Sequence, residues 1–360
     1  MTSAPQSRAL PGPVLVVGCG LVGTSLALAL TRSGAEVHLR DTRPEHARTA
    51  EMLGAGTLAA PERVALVVVA VPPDYVAEVV AEALGEWPDA VVTDVASVKL
   101  PPLQALASAG TDGLERYVGS HPMAGSERSG PTAASENLFE GRAWAITPHA
   151  AVSDAAMELV RDLGRTAGAT LVEMPPDEHD VAVARVSHLP QVMSVLTAAR
   201  LHGGPTDHLA LAGQGLRDVT RIAGSDPGLW RQILYANRLP LVELLRGVRD
   251  DLDELLDGIE RRQTIEDVLG RGVSGTRLIP GKHGEETPAA LATVFIQVPD
   301  QPGELGRLFR DTGQSGVNIE DLRIDHDLGR PVGVAEITVR SERADELAAA
   351  LTERGWTAHL

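Results

Sequence analysis

Residues 14–23 read Val14-Leu-Val-Val-Gly18-Cys-Gly20-Leu-Val-Gly23, and this stretch decides how the first half of the chain folds. A short apolar run typical of a buried strand is followed by glycines and then by a helical pattern. Gly18 is predicted to make the tight turn, Gly20 to let the backbone approach a pyrophosphate, and Gly23 to permit close packing of the helix. This order of elements predicts a dinucleotide-binding loop.

An acidic residue ends the next predicted strand, Glu36 to Arg40. A carboxylate at Asp41 accepts hydrogen bonds from ribose hydroxyls and repels the extra phosphate of NADP, so NAD is the predicted cofactor. Arg43 keeps NADP open as an alternative, because a guanidinium there neutralises a phosphate. The residues predicted to contact the cofactor are Gly18, Gly20, Leu21, Val22, Gly23, Asp41, Val71, Pro72 and Ser97.

Short β-branched runs alternate with helical patterns throughout residues 12–176. The predicted strands are Val14 to Val17, Glu36 to Arg40, Ala65 to Val71, Ala90 to Asp94, Tyr117 to Gly119 and Ala143 to Thr147. Such alternation is typical of an α/β domain in which helices cover both faces of a parallel sheet. We therefore predict a Rossmann-type, doubly wound parallel sheet.

Helical patterns dominate residues 177–285. The predicted helices are Asp177 to Arg200, Pro227 to Ala236 and Leu239 to Leu269, and Gly270 to Pro288 resembles a linker. The amphipathic helices carry more apolar surface than a small domain can bury alone. This region is therefore predicted to be an all-helical domain that forms a homodimer.

Residues 291–360 show a different pattern, in which strands and helices follow the order βαββαβ. The predicted elements are Leu291 to Val298, Glu304 to Gln314, Val317 to Ile324, Pro331 to Val339, Ala344 to Arg354 and Thr357 to Leu360, with a turn at Asp327-Leu328-Gly329. This order predicts a separate ferredoxin-like domain with its own core.

Composition excludes several classes of protein. The formal net charge of −17 argues against nucleic acid or an anionic membrane as the main partner. The single cysteine, Cys19, excludes an internal disulfide framework and a cysteine-rich metal site, and no metal is expected. No run is apolar enough for a membrane span, and Met1 to Pro13 lacks a secretory pattern, so a cytoplasmic protein is predicted.

Ligands of open α/β sheets bind beyond the carboxyl ends of the strands, so we searched those positions for reactive side chains. His121 follows the fifth predicted strand, is held extended by the next proline, and is the candidate base. Ser97 follows the fourth strand and is expected to hydrogen-bond that imidazole and fix its tautomer. The plainer alternatives are a packed loop histidine and a serine that caps the next helix.

Two further histidines lie in the predicted helix Asp177 to Arg200. Asp177-Glu178-His179-Asp180 is interpreted as acidic capping of that helix rather than as a metal cluster. His188 stands beside Pro190, which removes a helical hydrogen bond and predicts a kink. Such a kink suggests that His188 forms a wall of the site. A bend that only lets the helix follow the core is the alternative.

Charged and aromatic side chains follow in the helical region. Asp218 and Arg221 are predicted to share one face of a short helix, from which the guanidinium can grip a carboxylate bidentately. Trp230 lies one element later and is expected to cover a bound ring. Taken alone, a surface ion pair and a core tryptophan are the commoner interpretations.

The order and spacing of these motifs over residues 14–285 resemble the prephenate dehydrogenase family. The stretches that carry the resemblance are Gly18 to Gly23, Asp94 to Lys99, Gly119 to Glu127, Glu178 to Asp180, Ser187 to Pro190, Arg217 to Ala223 and Asp226 to Trp230. One departure is Gln214, where the family usually has glycine, and it bears on substrate specificity.

The resemblance implies NAD-dependent oxidative decarboxylation of prephenate to 4-hydroxyphenylpyruvate in tyrosine biosynthesis. It implies His121 as the catalytic histidine, Ser97 as its partner near the nicotinamide, and Arg221 as the ligand of a substrate carboxylate. It further implies a substrate pocket lined by His188, Trp230, Ser126, Glu127 and Asp218, with Glu127 able to pair with the arginine as a gate.

The C-terminal stretches Val298 to Leu305 and Gly316 to Ile319 resemble an ACT domain, a module that binds amino acids. The resemblance implies a regulatory site at Asp300, Gly303 and Asn318. Tyrosine is the expected effector, while phenylalanine or no ligand stay open.

Three other functions remain as alternatives. Arogenate or an amino-deoxy analogue is the alternative substrate within the same family. A β-hydroxyacid dehydrogenase is disfavoured because residues 177–200 contain no lysine. A sensor that binds NAD without catalysis is disfavoured because His121, Ser97 and Arg221 are all present.

Overall fold

The computed structural model describes residues 10–125, 128–279, 290–325 and 332–360. The chain divides into two compact units, with the boundary between Arg249 and Asp250. Among the described residues, no helix is both long and apolar enough to span a bilayer.

The first unit is built on a seven-stranded sheet. Its strands are β1 (Val14–Val17), β2 (Val37–Arg40), β3 (Leu66–Val69), β4 (Val91–Asp94), β5 (Tyr117–Pro122), β6 (Ala143–Thr147) and β7 (Thr170–Glu173). Their spatial order is β2-β1-β3-β4-β5-β6-β7, and β1 to β5 are parallel. The chain order reverses between β1 and β3, which makes this the point where a ligand crevice is expected.

The prediction of a wholly parallel sheet is wrong at one edge. Strand β6 pairs antiparallel with β5, and β7 then runs parallel to β6. No α-helix crosses over between β5 and β6 in the described chain, and a strand that begins where the last one ended must run back along it. Strand β7 is not among the predicted strands, because its residues are largely exposed and lack a clear apolar alternation.

Helices cover both faces of this sheet, as predicted for a doubly wound domain. They are α1 (Leu21–Arg32), α2 (Pro44–Met52), α3 (Val76–Glu86), α4 (Leu100–Ser108) and α5 (Asp154–Thr166). Along β1, Val14 and Val16 face one core with α1, α2 and α5, whereas Leu15 faces a second core with α3 and α4. Burial on both faces explains why β1 and β3 read as continuous apolar runs.

Helices follow from residue 176 onward. They are α6 (Pro176–Val183), α7 (Leu189–Ala199), α8 (Gln214–Thr220), α9 (Pro227–Ala236), α10 (Arg238–Arg261) and α11 (Glu266–Thr276). The predicted kink is a π-helical turn, Ala184–His188, just before Pro190, whose missing N–H interrupts the regular ladder. The predicted helix Leu239 to Leu269 is instead two helices, with a break near Arg262, whose φ is 52°. The predicted linker begins inside α11, and residues 280–289 lie outside the described chain.

The second unit contains a four-stranded antiparallel sheet with two helices. Its elements are β8 (Leu291–Pro299), α12 (Glu304–Gln314), β9 (Asp321–Asp325), β10 (Val332–Arg340), α13 (Ala344–Glu353) and β11 (Thr357–His359). The strand order is β11-β8-β10-β9. Val294, Ile296, Leu308, Ile337 and Leu347 are among the residues that form its separate core. The predicted turn at Asp327-Leu328-Gly329 lies outside the described residues.

Two glycines of the β1–α1 loop are required by geometry. Gly18 has a φ of 103°, and a Cβ there would lie 2.4 Å from the carbonyl oxygen of Ala70. A Cβ on Gly23 would lie 1.9 Å from the carbonyl oxygen of Gly18. A Cβ on Gly20, in contrast, would meet no atom within 4 Å in the free chain. The space beside Gly20 is therefore available to a ligand.

A matched pair of substitutions tests this division of roles. Gly23→Ala should lower the free energy of unfolding by roughly 3 kcal/mol, at the upper end of overpacking costs, because backbone must move. Gly20→Ala should lower it by less than about 1 kcal/mol, since only a helix cap changes. Denaturant unfolding of both variants measures the difference, and equal losses would contradict the assignment.

Candidate active site

A cleft of about 1260 Å³ opens at the carboxyl ends of β1, β3, β4 and β5. It exceeds the roughly 300–1,000 Å³ of pockets for a single small ligand, so a dinucleotide and a second molecule fit together. The predicted site residues that line it are Gly18, Gly20, Leu21, Val22, Asp41, Val71, Pro72, Ser97, His121, His188, Arg221 and Trp230. Gly23 does not line the cleft but packs beneath the loop.

Asp41 ties the glycine loop to the end of β2. Its Oδ2 accepts a hydrogen bond from the backbone N–H of Cys19 at 2.6 Å, and its Oδ1 accepts one from Arg43 N–H at 2.7 Å. The N-terminus of α1 and the open space beside Gly20 fit a pyrophosphate, and the Asp41 carboxylate fits a ribose. Burial, with Asp41, raises the pKa of the Cys19 thiol to about 12, so this cysteine stays protonated.

His121 lies near the end of β5, half-buried, at the nicotinamide end expected for the cleft. Its Nδ1 is 3.0 Å from Nε2 of His179, and the two rings meet edge to face. Ser97 lines the same cleft but makes no hydrogen bond to His121 among the described residues. The orienting contact predicted for Ser97 is therefore made by His179 instead.

His179 and Asp180 correct the interpretation of the acidic stretch in α6. His179 Nδ1 is 2.8 Å from Asp180 Oδ1. The Asp180 carboxylate accepts hydrogen bonds from the backbone N–H groups of Lys99 (2.9 Å) and Leu100 (3.0 Å), at the start of α4. Asp180 thus caps the N-terminus of α4 and not that of α6, the helix in which it lies. No local pattern reveals a contact between residues 81 positions apart.

A buried ion pair holds the tips of β4 and β5 together. The Lys99 ammonium binds the Asp94 carboxylate and donates to the carbonyl oxygen of Ser120 at 2.7 Å. Tyr117 donates its hydroxyl proton to the other Asp94 oxygen at 2.7 Å. Burial lowers the pKa of Lys99, while Asp94 opposes the shift. Since Ser120 precedes His121, this pair fixes the backbone that carries the candidate base.

The electrostatic environment keeps His121 neutral at pH 7. Burial lowers its pKa well below 6.5, and the positive charges that His179, Lys99 and His188 carry or acquire act in the same direction. A neutral imidazole can accept a proton, as a general base must.

His188 lies in the π-helical turn and is 1% exposed. Its Nδ1 is 3.0 Å from Nδ2 of Asn237, and its ring meets that of Trp230 edge to face at 6.0 Å. Nε2 is buried and has no hydrogen-bond partner among the described residues. Burial lowers the pKa of His188 to about 4, against the opposing effect of Asp180. The predicted wall of the site is therefore a neutral histidine with one unused nitrogen.

Arg221 lines the cleft, and its guanidinium has no carboxylate within ion-pair distance in the part of the chain that is described. Asp218 does not line the cleft, and its carboxylate accepts a hydrogen bond from Gln214 at 2.9 Å. The predicted partnership of Asp218 with Arg221 is therefore wrong. Gln214 lies one helical turn before Asp218 on α8, and its side-chain amide binds the Asp218 carboxylate instead. Ser126 and Glu127 lie outside the described residues.

Within the described ranges, no group of His, Cys, Asp and Glu side chains has an arrangement that could hold a metal ion.

Two family models match the chain. The model described as prephenate dehydrogenase, nucleotide-binding domain, matches residues 26–173, and the model described as its dimerization domain matches residues 175–270. "Probable prephenate dehydrogenase NovF" of Streptomyces niveus is 36% identical over 358 residues, covering 96% of this chain and 99% of that protein.

Solved structures resemble about three quarters of the chain. Prephenate dehydrogenase from Aquifex aeolicus, in complex with hydroxyphenyl propionate and NAD+, is 30% identical with a TM-score of 0.64, covering 74% of this chain and 97% of that one. Arogenate dehydrogenase from Synechocystis is 27% identical with a TM-score of 0.61, covering 73% and 98%.

Proposed function

Because the chain belongs to the prephenate dehydrogenase family, we propose that it uses NAD to oxidise and decarboxylate prephenate to 4-hydroxyphenylpyruvate. One observation carries the proposal. A neutral His121 and Arg221, which has no ion pair among the described residues, line one cleft together with the glycine loop. The base and the carboxylate clamp therefore share the space into which a dinucleotide fits.

The proposed reaction follows from the position of these groups. His121 accepts the proton of the ring hydroxyl as the carbonyl forms at that carbon. NAD, which the glycine loop and Asp41 would hold, would supply the acceptor for the hydride that leaves this carbon. Loss of carbon dioxide then makes the ring aromatic, and His121 returns the proton to the oxygen. Arg221 holds a carboxylate of the substrate, so that most of the catalysis is positioning.

Prephenate and arogenate differ in one side chain, a keto acid against an amino acid. The ammonium of arogenate needs an acceptor or a carboxylate beside it. His188 offers a neutral ring with Trp230 instead, which favours the keto acid. Arogenate remains the second candidate because an arogenate dehydrogenase is among the similar structures.

The proposed function is tested by measuring NADH formation with prephenate and with arogenate on one preparation. We expect a higher kcat/KM with prephenate and a preference for NAD over NADP. Faster turnover of arogenate would establish the second candidate. Absence of turnover with both substrates would contradict the proposed function.

Two substitutions should affect different kinetic constants. His121→Asn should lower kcat roughly 10²- to 10⁴-fold, because a positioned general base is lost. Arg221→Ala should act chiefly on KM, at a cost of about 1.5–3 kcal/mol for a lost charge-assisted hydrogen bond. His202→Asn is the control, since His202 is an exposed histidine outside the cleft. Near-normal kcat in His121→Asn, or unchanged KM in Arg221→Ala, would refute the respective role.

We also propose that the chain forms a homodimer. The matching dimerization-domain model and the exposed apolar side chains along α10 and α11 support this proposal. These side chains are Leu239, Val242, Leu252, Leu256, Ile259, Leu269 and Val273. Burying them against a second copy removes apolar surface from water. Sedimentation at assay concentration should give twice the chain mass of 37.9 kDa, and a monomer would contradict the proposal.

Residues 291–360 are proposed to be an ACT-type regulatory domain that binds tyrosine. A cavity of about 290 Å³ is lined by Gly316, Val317, Asn318, Glu320, Arg340, Glu342 and Arg343. Groups of both charges suit the ammonium and carboxylate of an amino acid. Asn318 belongs to this cavity, whereas Asp300 and Gly303, which the sequence also suggested, do not line it.

Inhibition by tyrosine tests this site. Asn318→Ala should weaken the inhibition of the full chain while leaving its kcat and KM unchanged. Asp300→Ala is the matched variant and should keep the inhibition, because Asp300 lies outside the cavity. Competitive inhibition that is equal in both variants and the wild type would instead place tyrosine in the active site.

A further inference from the structure

We propose that Asp180 fixes opposite proton positions on the two histidines of the cleft. Through His179 it leaves Nε2 of His121 without a proton, and through Asn237 it leaves Nε2 of His188 with one. His179, Asp180 and Asn237 are thus positioning residues. They do not touch the substrate, but they decide which histidine accepts a hydrogen bond and which donates one.

The first branch runs through the Asp180 side chain. Both carboxylate oxygens accept backbone N–H groups, from Lys99 and Leu100, so this group is held as a carboxylate and can only accept. His179 Nδ1, 2.8 Å from Oδ1, must therefore carry the proton. In a neutral ring its Nε2 then accepts, and Nδ1 of His121, 3.0 Å away, must donate. The lone pair of His121 is left on Nε2.

The second branch runs through the Asp180 backbone. Its carbonyl oxygen lies 2.7 Å from the Asn237 side-chain nitrogen, and a carbonyl can only accept, so the amide group must point its NH₂ there. The same NH₂ lies 3.0 Å from His188 Nδ1, which therefore accepts. A neutral His188 must then carry its proton on Nε2, the buried nitrogen without a partner among the described residues.

Because the residues of both branches are buried, their hydrogen bonds must be made within the protein. His179 and His188 are each 1% exposed, Asn237 is 2% and Asp180 is 4% exposed. Water cannot replace a missing partner at such positions, and an unpaired buried polar group costs about 1–3 kcal/mol. Of the charged groups that act on the two rings, Lys99 is paired with Asp94, and the Asp180 carboxylate is held by the backbone N–H groups of Lys99 and Leu100.

The arrangement suits the proposed function, on which this interpretation of its purpose rests. An acceptor at His121 matches a hydroxyl that loses its proton. With Nδ1 bound to Asn237 and the proton on Nε2, the His188 ring offers no acceptor to an ammonium. One residue thereby sets both the base and part of the substrate preference.

The tautomers can be observed directly in the full chain without substrate. Long-range ¹H–¹⁵N correlation of the histidine rings at pH 7 should show His121 protonated at Nδ1 and His188 protonated at Nε2. His121→Asn and His188→Asn assign the signals. The same tautomer on both rings, or a proton on Nε2 of His121, would overturn the proposal.

Kinetics of His179 variants supply the second test. His179→Leu removes the acceptor and should lower kcat about 10- to 10²-fold, part of the roughly 10²–10⁴ that a positioned base contributes, with KM changed less than about twofold. His179→Gln keeps a carbonyl acceptor and should recover most of kcat. His202→Leu, the loss of an exposed histidine outside the cleft, should leave both constants unchanged.

The outcomes separate this inference from the proposed function. Expected tautomers in a chain that oxidises neither prephenate nor arogenate would contradict the proposed function alone. Full kcat in His179→Leu, or equal losses in His179→Leu and His179→Gln, in a chain that does oxidise prephenate would overturn the inference alone.

Discussion

The buried ion pair between Lys99 and Asp94 is the interaction on which the rest of the site depends. Both side chains are fully buried, and an unpaired charge in that position would cost several kcal/mol. Tyr117 and the carbonyl oxygen of Ser120 satisfy the remaining hydrogen-bonding groups. The pair therefore locks the tips of β4 and β5 into one rigid edge. His121 stands on that edge, and the backbone of Lys99 holds Asp180.

Features encoded by neighbouring residues could be predicted from the sequence. The glycine loop, the strands that flank it and the position of His121 at a strand end all follow from local spacing, and the structure contains each of them. The predicted bounds of α9, Pro227 to Ala236, match the structure because a capping aspartate and a proline mark its start. Sequence patterns predict a structural element correctly where a single short segment determines it.

Features that join distant segments could not be predicted. The contacts of Asp180 reach Lys99 and Asn237, which are 81 and 57 residues away. His179 was therefore interpreted as part of a helix cap, although it contacts His121. The reversal of β6 likewise depends on the absence of a crossover helix rather than on any residue in the strand. Asp218 shows a different error, because it binds Gln214, one helical turn before it, rather than the predicted Arg221.

The burial of Lys99 also gives the chain a chemical reporter. Only two lysines occur in the sequence, and the ammonium of Lys99 is wholly enclosed beneath the catalytic edge. A water-soluble amine reagent can reach it only when β4 and β5 separate, so the rate at which Lys99 is acylated measures the local opening of that edge. Ligands that tighten the cleft should slow this acylation. Mass spectrometry of acylated Lys99 would therefore report how often this edge of the active site opens.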